Sequence, residues 1–290
     1  MNQLQIEEKY SRRNIRKVVM ADVGQDSPVF HACVKAIEFY RNTKYYDTKT
    51  KRIEALSIDS HSAALEVFIA VLPIKELSPI QSVATQIGNR LGYQAVLDGV
   101  KTAAEIMAVC EASGLYTLYH STSPDNDTGT LGVKPNYKLS SDTEAFIAKT
   151  MYLPPMIQEP EEWTDNAHGG YLEGTGSVIL GNINHHHENQ ALDAINIIQR
   201  IPWELNIDML EYEECPNKTL DTPDKTKQFN DMKHKSRSVY DEMLGLGNRF
   251  FFTWKYDKRG RMYSQGYHIN LQSTEYKKSI LQFSNKELIC

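Results

Sequence analysis

The sequence has few cysteines and no long hydrophobic run. Its four cysteines, Cys33, Cys110, Cys215 and Cys290, are too far apart along the chain for a paired-cysteine zinc motif or a dense disulfide framework. No apolar run approaches the ~18 residues that a membrane-spanning helix requires, and the first residues lack the apolar segment of a signal peptide. We therefore expect a chain that makes no membrane contact and works in a reducing cytoplasm.

The composition is that of a folded, water-soluble chain. Hydrophobic residues make up 41% and charged residues 24% of the 290 positions. The aromatic residues (16 Tyr, 9 Phe and 3 Trp) offer enough apolar area to offset the entropy of ordering, which excludes disorder over the whole length. This length provides one large domain or two of ordinary size.

The charge is unevenly distributed. A formal net charge of −5 argues against a nucleic-acid binder when it is averaged over the chain. Residues 225–278, however, hold 12 Lys or Arg against 5 Asp or Glu, a local charge of +7 that leaves −12 on the first 224 residues. A protein that neutralises phosphates needs a local basic surface rather than a basic average. A solvated helix face remains the alternative explanation for a charge run taken alone.

The hydrophobic pattern predicts an α+β fold that is mainly helical. Helical patterns occupy most of residues 1–45 and recur near 60–72, 80–91 and 102–112, with Asp59 or Ser60 as a cap. Ser78 and Pro79 are typical of a cap and a first helical turn. Residues 123–136 are rich in Asp, Asn, Gly and Pro, so we expect a loop there.

The second half begins with an irregular Pro- and Gly-rich connector. Two long helical patterns follow, at 189–211 and 224–246, and the short link between them predicts an antiparallel helical hairpin. Pro202 lies within the first pattern, where we expect a kink. The aromatic residues of 250–256 and the segment after Arg261 predict two strands, and a helix begins near Thr274.

The densest functional chemistry lies between these two strands. Residues 255–263 place four cations and two tyrosines around Gly260. A turn centred on glycine projects its guanidinium groups without a neighbouring Cβ in the way. Arginine engages two phosphate oxygens at once, and aromatic side chains stack on bases. The turn is therefore a candidate nucleic-acid contact.

Several segments of the sequence resemble one family. Asp257-Lys258-Arg259-Gly260-Arg261 resembles the Asp-x-x-Gly-Arg motif of the single-subunit RNA polymerases of bacteriophages and mitochondria, with Tyr263 and Lys277 at similar spacing. Upstream, residues 81–88 resemble a helix of the family's N-terminal domain. Residues 160–171 are similar to its Pro-x-x-Trp-Thr and Gly-Gly-Tyr stretch, and 194–199 to the Ala-Ile-Asn-x-x-Gln helix that enters the thumb. The segments occur in family order across roughly residues 75–290.

The resemblance implies a domain order. Residues 1–152 would form a helical N-terminal domain and 153–188 a connector. Residues 189–248 would form the thumb hairpin and 249–290 the start of the palm.

The resemblance also implies eight nucleic-acid-binding residues, which are Asp257, Arg259, Gly260, Arg261, Tyr263, Lys277, Lys235 and Arg237. Arg261 would contact the template backbone, while Asp257 and Arg259 would shape the turn. Tyr263 and Lys277 would lie near the nascent base pair. Lys235 and Arg237 belong to a Lys-Ser-Arg stretch that would face the RNA–DNA hybrid.

The family's catalytic groups are expected elsewhere. Its two Mg²⁺-binding aspartates and its nucleotide-binding Lys and Tyr lie downstream of the motif, and this chain ends about thirty residues after it. Phosphoryl transfer in such polymerases needs two carboxylate-held Mg²⁺ ions. We therefore expect no catalytic residue and no metal site on this chain, and no RNA synthesis by it alone.

The expected partner is a second subunit that carries the fingers and the palm aspartates with their Mg²⁺. Such a heterodimer is similar to the RNA polymerase of N-four-type bacteriophages. The other expected ligands are the DNA template, the RNA–DNA hybrid and nucleoside triphosphates, in the cytoplasm of an infected bacterial host.

Several alternatives stay open at this point. The chain is either one subunit of a naturally split enzyme, which we favour, or a truncated piece of a longer one. A non-catalytic nucleic-acid-binding accessory protein derived from the polymerase N-terminal region is the second functional hypothesis. Residues 185–187 are consecutive histidines, which fan apart on a helix and rarely bind one ion. Trp163 and residues 250–252 are predicted to pack in the core.

Overall fold

The computed structural model describes residues 1–24, 26–75, 77–123, 126–150, 152–173, 176–181, 188 and 190–286. Within residues 121–130 it describes the backbone of the strands but not the side chains. The histidines at 185–187 lie outside the described residues.

Helices dominate the described part of the chain, which holds twelve α-helices and seven strands. The helices are α1 (Gln3–Tyr10), α2 (Arg12–Val23), α3 (Pro28–Asn42), α4 (Asp47–Glu54), α5 (Ser60–Val71), α6 (Ile80–Gly88), α7 (Val96–Cys110), α8 (Ser141–Thr150), α9 (Leu192–Gln199), α10 (Ile207–Leu210), α11 (Pro223–Gly245) and α12 (Glu275–Ser279). The strands are β1 (Ser78–Pro79), β2 (Tyr116–Ser123), β3 (Asn126–Pro135), β4 (Trp203–Leu205), β5 (Trp254–Tyr256), β6 (Met262–Ser264) and β7 (Leu281–Phe283). The predicted mainly helical α+β class is confirmed.

The chain divides into two compact units. One, the middle unit, is Arg12–Ala148, and the other, the terminal unit, combines Met1–Ser11 with Lys149–Cys290. Each unit has its own hydrophobic core. The identity of the four predicted domains stays a prediction.

Helix α5 is the centre of the middle unit. It begins at the predicted cap, because the Asp59 carboxylate accepts the backbone N–H of Ser62 at 2.7 Å. Its residues from Ala63 to Val71 are all buried. Buried Glu66 is held by ion pairs with Arg12, at 2.7 Å, and Arg16. This pairing satisfies a carboxylate that would otherwise be costly in the core.

Two cysteines that are distant in sequence meet in this core. The Sγ atoms of Cys33 on α3 and Cys110 on α7 lie 2.9 Å apart, and both side chains are fully buried. The hydrogen bond from Cys33, together with burial, raises the pKa of the Cys110 thiol. Both residues are free thiols that act as core side chains.

The predicted loop at 123–136 is wrong. Strands β2 and β3 form an antiparallel pair there, with Tyr119 opposite Gly132 and Tyr116 opposite Pro135. Backbone pairing between the two strands overrides the local composition, which had favoured a loop. Ser78 and Pro79 pair with Val133 and Gly132 as the edge strand β1, and Pro79 is also the N-cap of α6, so the helix begins at Ile80, one residue later than predicted.

The core of the terminal unit gathers around residues 250–252. Phe250 and Phe252 are almost fully buried, and they pack with Tyr240 and Met243 of α11 and Ile195 of α9. Trp163 is buried in the same cluster, so its predicted core role is confirmed. Regular strand pairing is shorter than predicted: β5 covers Trp254–Tyr256, while residues 250 and 251 make isolated bridges to Trp203 and Met156.

The first of the two predicted long helices is wrong in extent. Helix α9 ends at Gln199, and Trp203–Leu205 forms β4, which pairs with Leu281–Phe283 of β7. Pro202 has no N–H, and it disfavours helical geometry at the residue before it, which explains the break. The second helix is confirmed as α11, which begins after Thr222, whose hydroxyl accepts the Lys225 N–H.

Candidate nucleic-acid interface

Asp257 organises the turn between β5 and β6. Its Oδ1 accepts the backbone N–H groups of Arg259 at 2.8 Å and Arg261 at 3.0 Å. The Arg261 carbonyl accepts the Asp257 N–H at 2.8 Å, and the Asp257 carbonyl accepts the Gly260 N–H at 3.0 Å. Gly260 has φ +79°, a left-handed backbone that favours glycine, and no atom of the described residues lies within 4 Å of the position that a Cβ would occupy. The structure thus gathers four of the predicted site residues in one closed turn.

The same carboxylate also holds both guanidinium groups. Asp257 Oδ2 accepts from Nε and Nη2 of Arg261, at 2.9 and 2.8 Å, and lies 3.2 Å from Nη2 of Arg259. Hydrogen bonds, led by the one from the Arg261 backbone, lower the pKa of Asp257. The carboxylate therefore stays ionised at neutral pH and fixes two cations on the turn.

The two arginines nevertheless remain accessible. The Arg259 side chain is 72% exposed and that of Arg261 is 53% exposed, whereas that of Asp257 is 16% exposed. The Arg261 guanidinium carbon lies 5.8 Å from the ring centroid of Tyr263 on β6. Such an arrangement presents pre-positioned donors to an anion that approaches from solvent.

Lys277 is buried rather than presented with the turn. The residue is 3% exposed, and its Nζ donates to the Tyr267 carbonyl at 3.3 Å. Desolvation lowers its pKa. It also lies 5.3 Å from the ring centroid of Tyr267. Lys277 therefore lies in the interior of the terminal unit, beside the Tyr267 segment, and is not presented with the arginines of the turn.

His268 is the buried neighbour of this lysine. Its Nδ1 lies 3.0 Å from Ser236 Oγ of α11, while its Nε2 has no hydrogen-bond partner among the described residues. Burial, and then the positive charges of Lys277 and Lys235, lower its pKa to about 4. The ring is therefore neutral at physiological pH.

Lys235 and Arg237 flank Ser236 on α11 but lie in different surroundings. Both are exposed, and Lys235 contributes to the field at His268. Arg237 donates to the Leu210 carbonyl at 2.8 Å, and its Nε lies 3.6 Å from Asp241. Successive helical residues differ in direction by 100°, so residues two positions apart point to nearly opposite sides of α11. The two cations therefore do not form one pair. Lys235 acts electrostatically on His268, as Lys277 does. Arg237 instead contacts the end of α10 through the Leu210 carbonyl.

An exposed aromatic pair was not predicted from the sequence. The rings of Tyr152 and Tyr267 stack with their centroids 4.2 Å apart and their planes at 12°. These residues are 40% and 45% exposed. Two tyrosines so far apart in sequence carry no local signal that predicts their stacking.

The structure joins two of the family-like segments directly. Asn196 of α9 accepts the Trp163 N–H at 2.8 Å and donates to the Trp163 carbonyl at 3.0 Å. Gln199, one turn later, donates to the Glu161 carbonyl at 2.8 Å. The Asn-x-x-Gln spacing therefore places both amides on one helical face, against the Trp163 segment.

Gly169 and Gly170 hold the Trp163 segment against the chain that follows it. Glu161 and Gly170 exchange backbone hydrogen bonds of 2.8 and 3.0 Å. Gly169 has φ +147°, and a Cβ there would lie 2.5 Å from the Cα of Trp163. Only glycine fits such an approach without displacing backbone.

Lys255 does not belong to the cationic turn, although it is adjacent in sequence. Its Nζ lies 5.8 Å from the Trp163 ring centroid, and desolvation lowers its pKa. Alternation along β5 places it on the face opposite to the buried Trp254 and Tyr256, near the Trp163 ring rather than with the arginines of the turn.

Two kinds of feature are absent from the described residues. In that part of the chain, no three His, Cys, Asp or Glu side chains are grouped as metal ligands would be. Nor does any helix within it have the length and apolar character required to cross a bilayer.

Comparison with known proteins supplies one relation. No family model matches the chain. A "Probable DNA-directed RNA polymerase" of Podospora anserina is 27% identical to it over 164 residues, which covers 45% of this chain. The matched part spans 17% of that relative's length. The chain is thus related, distantly and over part of its length, to a DNA-directed RNA polymerase.

Proposed function

We propose that this chain is the template- and hybrid-binding subunit of a split, single-subunit-type DNA-directed RNA polymerase. The single observation that carries the proposal is the turn in which Asp257 fixes the exposed Arg259 and Arg261. The partial relation to a DNA-directed RNA polymerase supports the same conclusion. The proposed enzyme is a nucleotidyltransferase in which this chain provides binding and positioning.

The turn would bind a phosphate of the template strand. Residues 257–261 hold three cations and one carboxylate, so an excess of positive charge remains when Asp257 is paired. Because the guanidinium groups are already fixed, less side-chain entropy is lost on binding. Arg261 would donate hydrogen bonds to the phosphate oxygens, and the Tyr263 ring would stabilise the guanidinium by a cation–π interaction.

A second group of residues would act on the same nucleic acid. Lys235 adds exposed positive charge on α11, and the Tyr152–Tyr267 pair offers an aromatic surface to an unstacked base. Buried Lys277 would orient the Tyr267 segment through its carbonyl rather than touch the nascent pair itself. Arg237 would take part only if it left the Leu210 carbonyl.

The chemical step is assigned to a second polypeptide. Two Mg²⁺ ions held by that chain's aspartates would supply the electrostatic stabilisation that phosphoryl transfer requires. We propose a heterodimer of the bacteriophage type, which transcribes phage genes in the cytoplasm of the host with nucleoside triphosphates as substrates. This chain would hold the template in register for that site.

The experiment is a reconstitution of RNA synthesis. This chain is purified with the polypeptide that carries the palm aspartates, and synthesis is assayed on single-stranded DNA with Mg²⁺. We expect activity only when both chains are present. Full activity of the partner alone would refute the subunit proposal. Nucleic-acid binding without synthesis by the pair would instead support the accessory-protein hypothesis.

A matched pair of variants tests the role of the turn in that assay. Arg261→Ala should keep the complex intact and lower synthesis by about tenfold or more, because a phosphate contact is lost while the core is unchanged. Arg90→Ala removes an exposed arginine in the middle unit and should leave synthesis unchanged. Equal activity of the two variants would contradict the assigned role.

A further inference from the structure

The middle unit contains a pocket of about 470 Å³ with a positively charged lining. Helix α4, the start of α7 and the segment between α6 and α7 form its walls. The lining holds four cations and two carboxylates. A pocket of this volume accommodates a small organic ligand, such as a nucleotide.

One wall of the pocket is already neutralised. Glu105 is paired with Arg52 at 2.7 Å and with Lys49 at 3.3 Å, and it also accepts the Tyr40 hydroxyl. Burial alone would raise the pKa of Glu105, but the hydrogen bonds from Tyr40 and Arg52 outweigh it and lower the pKa. Arg52 is further held by Thr102. These side chains hold one another in place on one side of the pocket, and their charges partly cancel.

The remaining charged groups are available to a ligand. Lys51 on α4 and Lys101 on α7 are exposed, and neither has a carboxylate partner within the described ranges. Asp98 also lines the pocket without an ion-pair partner in that part of the chain. Tyr46, just before α4, is 68% exposed, so its ring faces solvent at the pocket.

We propose that this pocket binds a nucleotide. Lys51 and Lys101 would contact the phosphate groups, and the Tyr46 ring would stack on the base. Asp98 would accept hydrogen bonds from sugar hydroxyls. A nucleotide carries all three chemical groups, whereas a simple inorganic anion would leave Asp98 and Tyr46 without a role. The site lies in a different unit from Arg261 and goes beyond the template-binding function.

Titration of the full chain with ATP tests the proposal. The Lys51→Ala/Lys101→Ala double variant should bind ATP at least about tenfold more weakly, since both free cations are removed. Lys35→Ala removes one exposed lysine of α3 outside the pocket lining and should bind ATP as the unchanged protein does. The same comparison is made in the Arg261→Ala background, which removes any contact of ATP phosphates with the arginine turn; the loss on removing Lys51 and Lys101 should persist there, which separates this site from the proposed template contact.

A second arm distinguishes a free nucleotide from one within a strand. A ten-residue single-stranded oligonucleotide is titrated into Arg261→Ala with and without the two lysine substitutions. Lysine-dependent binding of ATP identifies a free nucleotide, and lysine-dependent binding of the oligonucleotide alone identifies a strand nucleotide. Unchanged affinity of the double variant for both probes would overturn the proposal. So would inorganic triphosphate binding as tightly as ATP, because the base and sugar would then add nothing.

Discussion

At the scale of single residues, one carboxylate accounts for the geometry of the candidate interface. Asp257 accepts two backbone N–H groups and holds two guanidinium groups at the same time. Its lowered pKa follows from these donors. The turn is therefore prepared before any ligand arrives, and its two arginines are oriented by a common anchor.

The lowered pKa of His268 makes the stability of the protein depend on pH. The unfolded histidine has a pKa of about 6.5, whereas burial and the nearby cations hold the folded pKa at about 4. Between these values the unfolded state binds a proton that the folded state does not bind. We predict that the free energy of unfolding falls as the pH drops from 7 to 4, by up to about 3 kcal/mol from this residue.

The His268→Asn variant should show a smaller fall over the same range in urea unfolding. The NMR titration of the His268 ring should have its midpoint near pH 4, below those of exposed histidines. A midpoint near 6.5 would contradict the buried position of the ring.

The residue types of the turn are predictable from sequence, but the environment of each cation is not. The Asp, Gly and Arg positions of 257–261 identify a tight basic turn without any structure. Lys277 looks equally available in sequence, yet it is buried against Tyr267. Burial of a lysine depends on helices from distant parts of the chain, and local sequence does not encode that packing.

At the scale of elements, prediction failed where backbone pairing or a proline overrides a local pattern. Apolar spacing at 189–211 favoured one helix, but Pro202 and pairing with β7 produce a strand instead. The 123–136 segment has loop composition, yet most of its described residues form β3, which pairs with β2. Helix α11 was predictable because its cap, its length and its terminal glycines agree.

The backbone of Gly169 lies so close to that of Trp163 that no side chain fits between them. Gly169→Ala should destabilise the protein by about 3 kcal/mol, because the new methyl group would meet backbone at 2.5 Å and force the bridged segment apart. The measurement is the change in Tm and in urea midpoint.

Gly247→Ala is the matched control. It also has a positive φ, +102°, but nothing lies within 4 Å of the added Cβ. Only the backbone strain of about 1 kcal/mol is expected there. Equal destabilisation by the two substitutions would show that the close packing against Trp163 does not matter.

At the scale of the whole molecule, the two opposite charge regions belong to one unit. Residues 149–224 carry 3 Lys or Arg against 14 Asp or Glu, and residues 225–278 carry 12 against 5. Both ranges lie in the terminal unit. The middle unit is balanced, with fifteen residues of each sign. The net charge of −5 therefore results mainly from two opposite regions of the terminal unit, and it does not oppose binding at the arginine turn.

The measurement that tests the central claim most directly is the affinity of the full chain for a short RNA–DNA hybrid with a single-stranded template extension. Fluorescence anisotropy over a range of salt concentrations gives both the affinity and its salt dependence. Arg261→Ala should weaken binding by about tenfold and reduce the salt slope by roughly one, as expected for one lost phosphate contact. Arg90→Ala should behave like the unchanged chain. Hybrid binding that is absent, or that Arg261→Ala leaves unaltered in affinity and slope, would contradict the account.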